Sequence, residues 1–135
     1  MLAFALSAAM ALAANAPDQA IEGYWLHPEG AIIIRVGSCG ESYCGTVTWA
    51  SKKARLDART GMDSLVGAQL LSGFRQNSHG IWKGQIYIPD HDMHVSGKLQ
   101  PLDTNRLKLW GCTFGGLLCK TQIWTRTDRA VARTD

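Results

Sequence analysis

Hydrophobic and polar residues alternate along several segments of this chain. The clearest case is residues 82–88, where Trp82 and Ile86 occupy one set of alternate positions and Lys83 and Gln85 occupy the other. Residues 92–99 repeat the pattern with apolar residues or glycine at every second position. Because successive side chains of a strand point to opposite faces, this alternation predicts half-buried antiparallel strands.

The alternating segments, separated by turn-forming residues, predict eight strands. They are Glu22–His27, Ala31–Val36, Tyr43–Ala50, Ala68–Phe74, Ile81–Ile88, Met93–Gln100, Asn105–Thr113 and Leu118–Arg126. Consecutive strands joined by hairpins predict an all-β fold, an eight-stranded antiparallel up-and-down barrel, which leaves no exposed sheet edge. A two-sheet sandwich is the alternative. The chain of 135 residues is long enough for one core, and we place a single domain at residues 17–126 and a tail at 127–135.

The first residues have the composition of a signal peptide. Residues 1–16 contain no charged side chain, and Ala11-Leu12-Ala13 has the small residues that signal peptidase recognises. We expect cleavage after Ala13, giving a signal peptide at 1–13, or cleavage as late as Ala16. An N-terminal core helix is the alternative. No apolar run reaches the roughly 18 residues of a membrane span, so we expect a soluble, periplasmic or secreted protein.

The four cysteines allow three pairings, of which we favour the one with two local pairs. Gly115-Gly116 predicts a two-residue hairpin turn, which places Cys112 opposite Cys119 within disulfide range. Cys39 and Cys44 are expected to face each other across a four-residue loop. We therefore expect the disulfides Cys39–Cys44 and Cys112–Cys119, as is common in exported proteins. A four-thiolate zinc site is disfavoured because Cys112 and Cys119 are too far apart in sequence.

Charge and motifs exclude several functions. A formal charge of +3 is too small to favour nucleic acid as a partner. His91 and His94 are the most ligand-like residues, but on a strand they point to opposite faces, so we expect no metal site. The sequence contains no nucleophile elbow, zinc-protease motif or phosphate loop. We therefore expect a protein that is not an enzyme and has no cofactor.

Residues near the two ends of the domain resemble those of the calycins, which include lipocalins, avidins and fatty-acid-binding proteins. Gly23-Tyr24-Trp25 opens the first strand and Arg126 closes the last. In calycins a G-x-W is covered by a cation from the last strand, which closes one end of the barrel. The resemblance implies that Gly23, Trp25 and Arg126 have this role here.

The sequence is also similar to a family of exported bacterial proteins, domain of unknown function 2147. The matching segments are Gly23–Trp25, Ala31–Arg35, Cys44-Gly45, Asp57-Ala58, Gly84–Pro89, Leu107–Cys112 and Gln122–Arg126. The resemblance implies a small lipocalin-like barrel of the cell envelope. The segment Asp90–His94 departs from the pattern, where a glycine-containing turn and an aromatic residue are expected.

Aromatic residues suggest where a ligand binds. We expect Trp49, Trp82 and Tyr87 near the open end of the barrel, where they would line a lumen that holds a small, partly apolar ligand. A lumen filled by its own side chains is the alternative. Trp110 falls on the opposite face from Trp124 and suggests a second hypothesis, an envelope protein that contacts a partner through its outer surface.

Overall fold

The described part of the chain forms one closed barrel. The computed structural model describes residues 21–58, 64–113 and 118–128. Its strands are β1 (Gly23–Leu26), β2 (Ile32–Cys39), β3 (Ser42–Ala50), β4 (Gln69–Gln76), β5 (Trp82–Ile88), β6 (Met93–Asp103), β7 (Arg106–Thr113) and β8 (Leu118–Thr127). Each strand pairs antiparallel with the next, and β8 pairs with β1. The predicted eight-stranded antiparallel up-and-down barrel is confirmed.

Three predicted features lie wholly or mostly outside the described residues. They are the signal peptide at 1–13 with its alternative cleavage after Ala16, the hairpin turn at Gly115-Gly116, and the tail at 127–135 beyond its first two residues.

Both predicted disulfides are present, but one arises from a different local geometry. Cys112 faces Cys119 across β7 and β8, with a Cα–Cα distance of 4.0 Å. Cys39 and Cys44 are also bonded, at a Cα–Cα distance of 5.9 Å, but they do not face each other. Cys39 pairs with Ser42 across a tighter turn, in which Gly40 has a φ of 75° that glycine adopts without strain.

Strand β6 runs further than the sequence predicts. The sequence analysis ends this strand at Gln100, directly before Pro101, which cannot donate a hydrogen bond to a neighbouring strand. The strand instead continues to Asp103, and its pairing with β7 shifts between Pro101 and Asp103. A local irregularity of this kind is where a sheet can accept proline.

The chain direction defines two ends of the barrel. The short turns at 40–41, 77–81 and 104–105 lie at one end, together with the start of β1 and the end of β8. We call this the closed end. The connections at 27–31, between β3 and β4, and at 89–92 lie at the other, open end.

A short helix, α1 (Lys52–Asp57), belongs to the β3–β4 connection at the open end. It begins after Ser51, whose side chain accepts a hydrogen bond from the Ala54 backbone N–H. Ala58 is part of the hydrophobic core, and Ala54 packs against it. The helix therefore covers part of the open end. No helix in the described ranges is long and apolar enough to cross a bilayer.

The inward-facing side chains of the barrel form a continuous hydrophobic core. Four aromatic residues in it are almost completely buried: Trp25, Phe74, Trp82 and Trp124. Aliphatic residues fill the space between them, including Ile34, Val36, Val47, Leu99 and Leu107. A large part of the lumen is thus occupied by the protein's own side chains, as eight strands allow.

Candidate functional site

The closed end is held by Arg126. Its guanidinium carbon lies 4.3 Å from the centre of the Trp25 ring. Its Nη1 donates to the Glu22 carbonyl at 2.8 Å and its Nε donates to the Thr104 carbonyl at 2.7 Å. Gly23 has a φ of 133°, and a Cβ there would overlap the Arg126 guanidinium. The contact that the calycin resemblance implies is therefore present, and it depends on glycine at position 23.

Trp82 lies at the end of the barrel opposite to the one we expected. It is the first residue of β5, directly after the turn at 77–81, and this turn is at the closed end. Its ring is 97% buried and contacts the ring of Tyr43 edge-on at 5.1 Å. Trp82 lies at this end because β1 begins at the closed end, and every odd-numbered strand of an up-and-down barrel therefore begins there too.

Trp49 and Tyr87 lie toward the open end, but the structure does not bring them together with Trp82. Trp49 pairs with Ile33 across β2 and β3. Tyr87 occupies the alternate face of β5 from Trp82, and its ring contacts His94 at 4.8 Å. Its hydroxyl donates to Asp92 at 2.7 Å, and this hydrogen bond raises the pKa of Tyr87. The structure places the three residues in separate surroundings.

A different group of side chains meets at the inner face where β1 ends and the 27–31 connection begins. His27 follows β1 on the same face as Trp25, and its ring contacts the edge of Trp124 at 5.2 Å. The Trp124 indole N–H donates to Oε1 of Gln122 at 3.0 Å. The Nε2 atoms of Gln122 and His27 lie 3.4 Å apart. We call His27, Gln122 and Trp124 the mouth cluster.

One further hydrogen bond and partial burial set the chemistry of His27. The backbone N–H of Glu29 donates to His27 Nδ1 at 3.0 Å. Partial burial lowers the pKa of His27 below its ordinary value of 6.5, and the charge of Glu29 opposes this shift only in part. The ring is therefore neutral around pH 7, with one nitrogen already used as an acceptor.

Sequence analysis named neither His27 nor Gln122 as a candidate site residue. One signal could have indicated them: both residues are two positions from an inward-facing tryptophan on a predicted strand. No group of three or more histidine, cysteine or acidic residues within the described ranges could hold a metal ion.

The fold and the contact that closes it define a lipocalin-like barrel. The structure is similar to "Protein HP1028 from the human pathogen Helicobacter pylori belongs to the lipocalin family", with a TM-score of 0.65, 13% sequence identity, and coverage of 81% of this chain and 84% of the other. Identity this low supports the fold alone.

Residues 23–126 match the family model described as "Uncharacterized protein conserved in bacteria (DUF2147)", and the chain belongs to this family. Among curated proteins, none matches the sequence. The two disulfides and the bacterial family are typical of proteins outside the cytoplasm.

Proposed function

We propose that this protein is a non-catalytic binding protein of the bacterial periplasm, and that its small, partly apolar ligand enters the open end of the barrel. The ligand presents a carbonyl or carboxylate oxygen to the mouth cluster. One observation carries the proposal: Nε2 of His27 and Nε2 of Gln122 lie 3.4 Å apart, and the other hydrogen bonds of the two side chains make both nitrogens donors.

The orientation of Gln122 follows from its partner. An indole N–H can only donate a hydrogen bond, so the Gln122 atom 3.0 Å from it must be the carbonyl oxygen. The amide nitrogen of Gln122 then points toward His27. This nitrogen carries two hydrogens and has no capacity to accept.

The tautomer of His27 follows in the same way. A backbone N–H also can only donate, so His27 Nδ1, which receives the hydrogen bond from Glu29, has no hydrogen. A neutral imidazole has one N–H, and here it must be Nε2–H. The two Nε2 atoms, 3.4 Å apart, are therefore both donors. A single oxygen atom in contact with both would satisfy both.

The surroundings favour a ligand that is otherwise apolar and short. The ring of Trp124 forms one wall of the mouth cluster and is 96% buried. Leu107 lies opposite Trp124 across β7 and β8, and Leu107 and Leu99 belong to the same hydrophobic core. A ligand with a hydrogen-bond acceptor at one end and a short apolar tail would place the acceptor at the mouth cluster and the tail against these apolar side chains. The polar groups of the mouth cluster are hydrogen-bond donors that can hold a ligand, and this supports a non-catalytic role.

The test compares two ligands of equal length by isothermal titration calorimetry at pH 7. Octanoate offers an acceptor, whereas octylammonium offers only donors. We expect octanoate to bind and octylammonium not to bind. Equal binding of the two, or no binding of octanoate, contradicts the proposal.

Gln122→Glu is the decisive variant. Its carboxylate can accept from both Trp124 and His27, so the variant supplies the missing acceptor and repels octanoate. We expect octanoate affinity to fall at least about tenfold while the fold is retained. Gln100→Glu adds the same charge on β6 and should bind octanoate within about twofold of wild type. Equal losses in both variants would assign the effect to net charge and refute the proposed site.

A further inference from the structure

A groove lies on the outer face of the barrel, away from the mouth cluster. It has a volume of about 430 Å³ and crosses β5, β6 and β7. Its lining residues are Lys83, Gly84, Gln85, Ser96, Gly97, Lys98, Trp110, Gly111 and Cys112. A volume of this size is within the range of small-molecule sites, roughly 300–1,000 Å³. Outer walls of barrels are normally convex, so the groove needs a structural cause.

Three glycines side by side account for the groove. Gly84 pairs with Gly97, and Gly97 pairs with Gly111. A Cβ on Gly84 would meet the ring of Phe74, and a Cβ on Gly97 would overlap Ile86. The backbone of all three strands therefore lies directly against the core side chains. At this row of glycines the barrel wall lies close to the core, and this leaves the groove on the outer surface.

Positive charge surrounds the groove. Lys83 lies directly opposite Lys98 across β5 and β6, and Lys98 lies opposite Trp110 across β6 and β7. The ammonium of Lys108 lies 4.5 Å from the centre of the Trp110 ring. The lining contains no carboxylate, and the ion pairs found among the described residues do not include Lys83 or Lys98.

This arrangement is unfavourable unless an anion is bound. Like charges directly opposite each other on neighbouring strands destabilise a sheet. An anion between Lys83 and Lys98 converts this repulsion into attraction. Gln85 and Ser96 lie opposite each other in the same groove and provide hydrogen-bond donors beside the charges. Trp110 supplies an aromatic surface.

We propose that the groove binds a small organic dianion that carries a flat apolar group. Its charged group lies between Lys83 and Lys98, and its flat part lies against Trp110. The volume fits a molecule of this size and not a folded protein domain. The site is independent of the mouth cluster, which lies on the inner face and binds through neutral donors.

Three probes separate the two parts of this recognition. Phenyl phosphate has both the dianion and the ring, inorganic phosphate has the charge alone, and benzyl alcohol has the ring alone. Binding is measured by calorimetry on the full-length protein, and chemical shifts of backbone amides locate it. We expect phenyl phosphate to bind at least about tenfold more tightly than either other probe, with shifts concentrated at Gly97 and Trp110.

Two variants and one matched control complete the test. We expect Lys98→Gln and Trp110→Leu each to weaken phenyl phosphate binding at least about tenfold. Lys52→Gln removes one charge from the exposed α1 and should change binding less than about twofold. Preferential binding of inorganic phosphate would assign the site to the free ion and overturn the organic ligand. Equal loss in Lys98→Gln and Lys52→Gln, shifts located elsewhere, or no binding of any probe would overturn the site.

Discussion

Arg126 and Trp25 face each other directly across β8 and β1, and the guanidinium lies over the indole ring. The same guanidinium bonds to the carbonyls of Glu22, just before β1, and Thr104, in the β6–β7 turn. One side chain therefore joins three parts of the chain that are distant in sequence. Its removal affects closure of the barrel as a whole and not only one strand pair.

Replacing Arg126 by lysine should destabilise the fold by about 2 kcal/mol, because an ammonium cannot make the planar stacking contact and both hydrogen bonds at once. The free energy of unfolding in urea measures this. Arg75→Lys is the control, since the ion pair of Arg75 within the described ranges is an exposed, long contact of 3.7 Å with Glu41. It should cost less than about 0.5 kcal/mol. Equal effects would show that Arg126 does not close the barrel.

Alternation and turn residues were sufficient to predict the strands, because both depend on neighbours in sequence. The hairpin register that predicts Cys112 opposite Cys119 also requires Trp124 opposite Leu107, and the structure has both pairs. Sequence analysis placed Trp82 at the wrong end of the barrel. Alternation shows which face of a strand a residue occupies, but it does not show in which direction the strand runs. Counting strands from the end at which β1 begins would have given it.

The candidate sites were harder to predict than the fold, because they depend on contacts between distant residues. His27 and Gln122 are 95 residues apart in sequence. The outer groove needs three glycines in register on three strands. Gly84 and Gly97 were visible as gaps in two alternating patterns, but only the pairing of β6 with β7 adds Gly111. Trp110, which sequence analysis assigned to the face opposite Trp124, is the one groove residue that it proposed as part of a contact surface.

The glycine row predicts a difference between two substitutions. Gly84→Ala should destabilise the fold by about 3 kcal/mol, because its Cβ would press on the rigid Phe74 ring and on a backbone carbonyl of Ser72. Gly97→Ala should cost about 1–2 kcal/mol, since its first contact is the movable end of Ile86. Thermal unfolding of both variants gives the order. Adding Ile86→Val to Gly97→Ala should recover part of the loss, whereas adding it to Gly84→Ala should not.

The disulfide between β7 and β8 should stabilise the protein measurably. Replacing Cys112 and Cys119 by serine opens a loop with a sequence separation of 7. The chain-entropy relation for a loop of this size gives a loss of about 2.5 kcal/mol. Urea unfolding of the oxidised double variant, compared with wild type, checks the value. No change in unfolding free energy would show that the bond does not constrain the unfolded chain.

The pKa of His27 makes stability depend on pH in a defined direction. Burial lowers this pKa in the folded state below 6.5, so the unfolded chain binds the proton more readily. Above pH 6.5 both states are neutral at this residue and it contributes no pH dependence. As the pH falls through 6.5, the unfolded state gains a proton and stability decreases. The decrease ends once the pH is below the folded-state pKa.

Two histidine variants test this dependence. In His27→Asn the side-chain oxygen can still accept a hydrogen bond from the Glu29 N–H, but the side chain does not titrate. The decrease in unfolding free energy below pH 6.5 should therefore be smaller in this variant than in wild type. His79→Asn removes a histidine from the exposed β4–β5 turn and should keep the wild-type profile. An NMR titration of the His27 ring reports its pKa directly. A value above 6.5 would contradict burial as the dominant influence on this ring.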